Sequence, residues 1–131
     1  MIDHMTFRVA DIARTRAFYG AVLAPLGYVE GYFGAHGGEQ VLGYQQDGKF
    51  DTWFIQGPSP WGGPPATTGC HLCWRAANRA QVDAFHAAAL AAGARDNGAP
   101  GLRAHYHPHY YGAFVIDPDG NNIEAVCHDP A

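Results

Sequence analysis

The chain repeats itself. The segment His4-Met5-Thr6-Phe7-Arg8-Val9-Ala10-Asp11 returns as His71-Leu72-Cys73-Trp74-Arg75-Ala76-Ala77-Asn78, 67 residues further along. The match continues beyond it: Ala13 falls on Ala80, Ala17 on Ala84, Phe18 on Phe85 and Leu23 on Leu90, and Gly27 meets Gly93 after a one-residue slip. A fixed period of this length marks two copies of one supersecondary unit. With 131 residues there is room for one domain made of those two copies and for no second domain.

Each copy reads as a strand, an N-cap and a helix. Over residues 3–9, His4, Thr6 and Arg8 alternate with Met5, Phe7 and Val9, the period of a strand with one apolar face; the polar set faces a cleft or solvent. Asp11 and Asn78 carry short side-chain oxygens that can accept from the free N–H groups of a first helical turn. Helices are expected over about 12–24 and 79–92. Their apolar stripes are Ile12, Tyr19, Val22, Leu23 and Leu26 in the first, and Val82, Phe85, Ala89 and Leu90 in the second. Pro25 with Gly27, and then Gly93, stop them. Glycine-punctuated runs near 28–34, 40–46 and 51–56, then near 94–104, 111–117 and 121–128, supply the remaining strands. The stretch Gly57-Pro58-Ser59-Pro60-Trp61-Gly62-Gly63-Pro64-Pro65 cannot sustain a ladder or a helix and reads as an extended connection, with Trp61 its one possible apolar anchor. The expected organisation is a first βαβββ module over 1–56, a linker over 57–68 and a second βαβββ module over 69–131.

Composition removes several classes of function. Eight Lys and Arg against twelve Asp and Glu give a net charge of −4 with no basic run, which argues against a nucleic-acid partner. No stretch nears the roughly 20 apolar residues of a membrane span, and Met1-Ile2-Asp3-His4 lacks the layout of a secretory signal, so the expected location is cytoplasmic. Three cysteines, Cys70, Cys73 and Cys127, do not suggest a disulfide framework. Cys70-x-x-Cys73 invites a zinc reading, but there is no second pair and strand alternation sends the two thiols to opposite faces, so both are expected to pack.

Ile2-Asp3-His4, Arg16-Ala17-Phe18-Tyr19, His71 at the start of the second copy, and Asp117-Pro118-Asp119-Gly120-Asn121-Asn122-Ile123-Glu124 together resemble the vicinal oxygen chelate superfamily. That superfamily includes glyoxalase I, extradiol ring-cleavage dioxygenases, fosfomycin-modifying thiol transferases and bleomycin-binding proteins. The resemblance spans nearly the whole chain. It implies an α+β fold in which paired βαβββ modules form a curved mixed sheet around a metal-binding cleft. Ligands for one divalent ion then come from the first strand of each module and the last strand of the second, which here are His4, His71 and Glu124. Two imidazoles and a carboxylate on one side of an ion leave open positions for two substrate oxygens, and the ion acts as a Lewis acid. Period two puts His4, Thr6 and Arg8 on one face, as it does His71, Cys73 and Arg75, and Glu124, Val126 and His128.

The chemistry run on such an ion is less constrained. Glyoxalase I adds a glutamate from the last strand of the first module, whereas Asp51-Thr52-Trp53-Phe54-Ile55-Gln56 offers only Thr52 or Gln56. Extradiol dioxygenases resemble the C-terminal run, with His105 or His107 at the catalytic histidine position. Phe114 stands where their tyrosine belongs, leaving Tyr110 or Tyr111 to supply a hydroxyl from the loop. The catalytic candidates are therefore His105, His107 and Tyr111. A hairpin over 111–128 would bring the His105 to Tyr111 loop beside Glu124. Arg8 and Arg75 either hold an anionic substrate or pair with acidic residues. The expected protein is a cytoplasmic homodimer acting on a small molecule with Fe, Mn, Ni, Zn or Co. The alternative is a non-catalytic binder of an aromatic drug or metabolite.

Overall fold

The computed structural model describes residues 1–131. Its elements follow the duplicated order: β1 (Met5–Val9), α1 (Ile12–Leu23) with a 3-10 turn (Ala24–Leu26), β2 (Val29–His36), β3 (Glu39–Gln46) and β4 (Lys49–Gln56), then β5 (His71–Arg75), α2 (Arg79–Ala91), β6 (Arg95–Leu102), β7 (Tyr111–Ile116) and β8 (Asn122–Cys127). Two four-stranded mixed sheets result, ordered β1-β4-β3-β2 and β5-β8-β7-β6. In each sheet the first strand lies parallel to the last, and the rest is an antiparallel meander. Asp11 and Asn78 cap the helices, accepting from the N–H of Arg14 and of Gln81. Gly27 ends the 3-10 turn at φ 88°, a left-handed conformation costly to any residue with a Cβ.

The helices lie against one another and against one face of their own sheets. Phe7, Phe54, Tyr19 and Trp74 form an aromatic run through this core, with successive ring centroids 5.5, 4.4 and 6.1 Å apart, that crosses from the first module into the second. The seam is also polar. Tyr19 donates its hydroxyl at 2.6 Å to Asp117, Thr67 exchanges hydrogen bonds with the backbone of Arg8, and Arg14 reaches Asp119. In α2, Leu90 turns partly outward while His86 takes a buried place against Asp96, departing from the expected stripe. Trp61 is 90% exposed and anchors nothing. No helix is long and apolar enough to cross a membrane.

Candidate functional site

Because the helices cover one face of each sheet, the other face is left as a cup. On the second sheet the pairing register puts His71 beside Asn122, Cys73 beside Glu124, and Glu124 beside Phe114, so all of these share the cup face. Glu124 is only 1% exposed. Burying a carboxylate without partners is expensive, and it has two: the Tyr110 hydroxyl donates to Oε1 at 2.5 Å, and Oε2 lies 3.2 Å from His71 Nε2. Gly112 makes this approach possible, since a Cβ there would stand 2.9 Å from Glu124 Oε1.

The hydrogen bonds of the imidazoles fix what each can do. His71 Nδ1 lies 3.0 Å from the carbonyl oxygen of Asn122, an acceptor only, so Nδ1 carries a proton and Nε2 is the nitrogen directed at Glu124 Oε2. His4, its repeat partner, has Nδ1 2.9 Å from Asp3 Oδ1, which leaves its Nε2 without a partner. This is the arrangement of a metal-ligating histidine, whose other nitrogen donates to an oxygen. Donors 3.2 Å apart subtend about 100° at an ion bound near 2.1 Å from each, so His71 and Glu124 fit a divalent cation. His4 stands on the other sheet and is not gathered with them. It lines a cavity of about 400 Å³ together with His71, but nowhere in the chain do three His, Cys, Asp or Glu side chains converge as an ion would require.

His107 is engaged differently. Its Nδ1 accepts the N–H of His109, so its Nε2 carries the proton and donates to His128 Nδ1 at 2.7 Å. His107 and His128 pack edge to face on Tyr110 and brace it over Glu124. His105 leans on Tyr106. Tyr111 points to the helix side, donating to Asp83 of α2, and it is Tyr110 that bears on Glu124. Desolvation and the hydrogen bond to Glu124 push the Tyr110 phenol up, and desolvation with the Glu124 charge pushes the Cys73 thiol up, so both keep their protons. Cys73 thus stands on the cup beside Glu124, where sequence had suggested only a packing role.

The first sheet's cup is aromatic. The Trp53 ring lies over Gly43 and the Phe50 ring over Gly31, where added Cβ atoms would come within 2.5 and 2.4 Å of the rings. The two rings stack at 5.0 Å. Thr52 and Gln56 are absent from this face: Thr52 is buried toward the core, where Trp74 donates to it, and Gln56 accepts the N–H of Ile12. Arg8 pairs with Glu39, and Arg75 has no carboxylate partner but lines the cavity of His4 and His71.

Against this geometry, the family model for the Glyoxalase/Bleomycin resistance protein/Dioxygenase superfamily matches residues 1–125. The chain belongs to that superfamily. A solved member, a glyoxalase/bleomycin resistance protein from Albidiferax ferrireducens T118, is 32% identical with a TM-score of 0.73, covering 97% of this chain and 98% of its own. A glyoxalase/bleomycin resistance protein/dioxygenase family enzyme from Burkholderia phytofirmans PsJN shares the fold at 20% identity and a TM-score of 0.68, with 98% of each chain covered. So does FosX, a genomically encoded fosfomycin resistance protein from Listeria monocytogenes, at 16% identity and 0.69, covering 98% of this chain and 93% of its own. No curated protein matches in sequence. Superfamily membership agrees with the βαβββ duplication read from the repeat.

Proposed function

We propose that this protein is a divalent-metal-dependent enzyme acting on a small molecule that chelates the ion through vicinal oxygens. His71 and Glu124 are two of its metal ligands, and His4 of a second copy in a homodimer is the third. The observation that carries the reading is the His71–Glu124 pair: Nε2 lies 3.2 Å from a carboxylate oxygen with both outer partners already in place. A divalent cation bound between them takes the place of the Nε2 proton that otherwise bridges the pair. The ion, when bound, supplies Lewis-acid stabilisation of negative charge on adjacent substrate oxygens. Tyr110 orients Glu124 and keeps a proton beside it. His107, with both nitrogens engaged, holds Tyr110 in position, and His105 is the imidazole free to move a proton to or from substrate.

Equilibrium dialysis of tag-free protein against Mn, Fe, Co, Ni and Zn tests this. One ion per site is expected, with His71→Ala and Glu124→Gln weakening binding at least tenfold while the fold persists. Mixing His4→Ala with His71→Ala chains should restore part of the binding lost by each alone. Parent-like metal affinity in both His71→Ala and Glu124→Gln would overturn the ligand assignment. The stacked Phe50 and Trp53 rings favour a second reading, a non-catalytic binder of an aromatic compound. Retention of an aromatic ligand in chelator, quenched by Trp53→Ala, together with no turnover of any ligand in the metal-loaded protein, would select it.

A further inference from the structure

The arginines divide by what neutralises them. Arg8, Arg14 and Arg16 each hold a carboxylate. Arg75, Arg79, Arg95 and Arg103 hold none, and of these only Arg103 has its guanidinium fixed by hydrogen bonds: its Nη2 donates to the carbonyl of Ala99 at 2.8 Å and its Nη1 to that of Leu102 at 3.4 Å. Neutral carbonyls fix a guanidinium's direction and leave its charge unspent. The group lies 5.5 Å from the Phe114 ring centroid, and the His71 ring stacks on the same phenyl at 6.2 Å and 24°. Arg103 therefore stands one aromatic ring away from His71.

The sheet is locally reshaped for this. The β6–β7 pairing shifts register on both sides of Gly98, which has φ +152°. A Cβ at Gly101 would press on Arg103 Nη1 at 3.0 Å, and one at Gly98 would meet Phe114 at 3.1 Å and Arg103 Nη2 at 3.4 Å. Two glycines thus keep the strand bare where the guanidinium crosses it. The result is a cavity of about 430 Å³ whose polar lining is Asn97, Arg103, His105, Tyr106 and Asn122, without a carboxylate among them. The Asn97 side-chain amide donates to the Asn122 side-chain Oδ1, which leaves the Asn122 Nδ2 N–H groups for a ligand. A cation, amide donors and an apolar floor, in a chain of net charge −4, suit an oxyanion attached to an organic body.

We propose that Arg103, with Asn122 and His105 beside it, binds an anionic group of the substrate, a carboxylate or a phosphate-type oxyanion, and so selects anionic small molecules. This rests on the second sheet's cup being the substrate site of the reading above. The test is done on the metal-free full chain, so its outcome is separable from that of the metal titration. Inorganic phosphate and benzoate are titrated separately at constant ionic strength, following the Arg103 side-chain N–H by NMR.

Saturable binding of at least one of the two anions is expected, and which one it is identifies the oxyanion. Arg103→Lys, which keeps charge but loses the planar fork, should weaken it about fivefold or more, and Arg103→Ala at least tenfold. Gly101→Ala, which displaces the guanidinium without removing it, should weaken it too. Arg95→Ala and Arg75→Ala should bind as the parent does. Metal affinity should be the same in Arg103→Ala as in the parent, showing an intact fold. Parent-like anion binding by Arg103→Ala, loss of binding in Arg75→Ala instead, or no saturable binding of either anion would each overturn the proposal.

Discussion

Replacing Tyr19 by Phe tests the joint between the two modules. Tyr19 is 3% exposed and Asp117 7%, and their hydrogen bond of 2.6 Å is a short buried polar link across the seam. The variant ring still packs on Phe54 at 4.4 Å, so no cavity term arises, and the loss is one hydrogen bond to a charged acceptor, about 1.5–3 kcal/mol. Asp117 keeps the N–H groups of Asp119 and Asn121 and the Asn121 amide. The carboxylate is not orphaned, which puts the expected loss near 2 kcal/mol. By contrast Arg14→Met, which breaks a half-exposed ion pair with Asp119, should cost no more than about 1 kcal/mol. Urea unfolding at pH 7 reads both, with unchanged m.

The alkaline limb gives a second, independent check. Burial first, and then the Asp117 charge, hold the Tyr19 phenol well above its ordinary value. A folded value above the unfolded one means that the stabilisation is whole below about pH 10 and is lost as pH rises further, by about 1.4 kcal/mol per pH unit. The phenylalanine variant cannot lose it, so a gap of about 2 kcal/mol between the proteins should close by about pH 11.5. The other raised tyrosines are common to both and cancel. A loss below about 0.5 kcal/mol at neutral pH, or a gap constant through pH 11.5, would refute the reasoning.

Two further outcomes can be checked with simple variants. Gly112→Ala drives a methyl against Glu124 Oε1 and the Tyr110 ring, so it should lower metal affinity severalfold in the same dialysis while leaving far-UV circular dichroism unchanged; equal affinity would mean that Glu124 is not held by Tyr110. Asp96 is held below the usual carboxylate range by His86 first and by the Gly98 N–H second. Its contribution is therefore complete above about pH 4 and lost as pH falls through the lower folded value. Asp96→Asn should be less stable than the parent at pH 6, by a gap that narrows as pH falls below about 4 in thermal melts; a gap of unchanged size between pH 6 and pH 2.5 would exclude an ionic origin.

What sequence could and could not disclose follows from the physics of each element. The repeat predicted two alike modules because Phe7 and Trp74, Phe18 and Phe85 occupy equivalent core positions, and a core pattern survives reading one residue at a time. The caps Asp11 and Asn78 were legible because capping is local. The β7–β8 hairpin was legible from the Asp117 to Gly120 turn, whose Gly120 N–H bonds back to Asp117. Tyr110 and Tyr111 were not separable, since the choice depends on the residue at which β7 begins, and a shift of one reverses the face. His86 in place of Leu90 rests on Asp96, ten residues away on the next strand. Arg103 carries no motif at all; it stands out only through the backbone carbonyls that fix it and the two glycines across a bulge.

The strand order of the two sheets also sets a sequence of events. Within each module the meander of three strands pairs neighbours in the chain, whereas β1 must find β4 across the whole unit, Met5 meeting Thr52, and β5 must find β8, His71 meeting Asn122. Closing long loops costs entropy that local hairpins do not, and contacts distant in sequence form late. The expected order is meander first, parallel closure last. His71 opens β5 and His4 immediately precedes β1, so the proposed metal-binding geometry assembles only after the rest of its module has folded. A chain released half-folded would offer scavenged ions scattered histidines and no formed site.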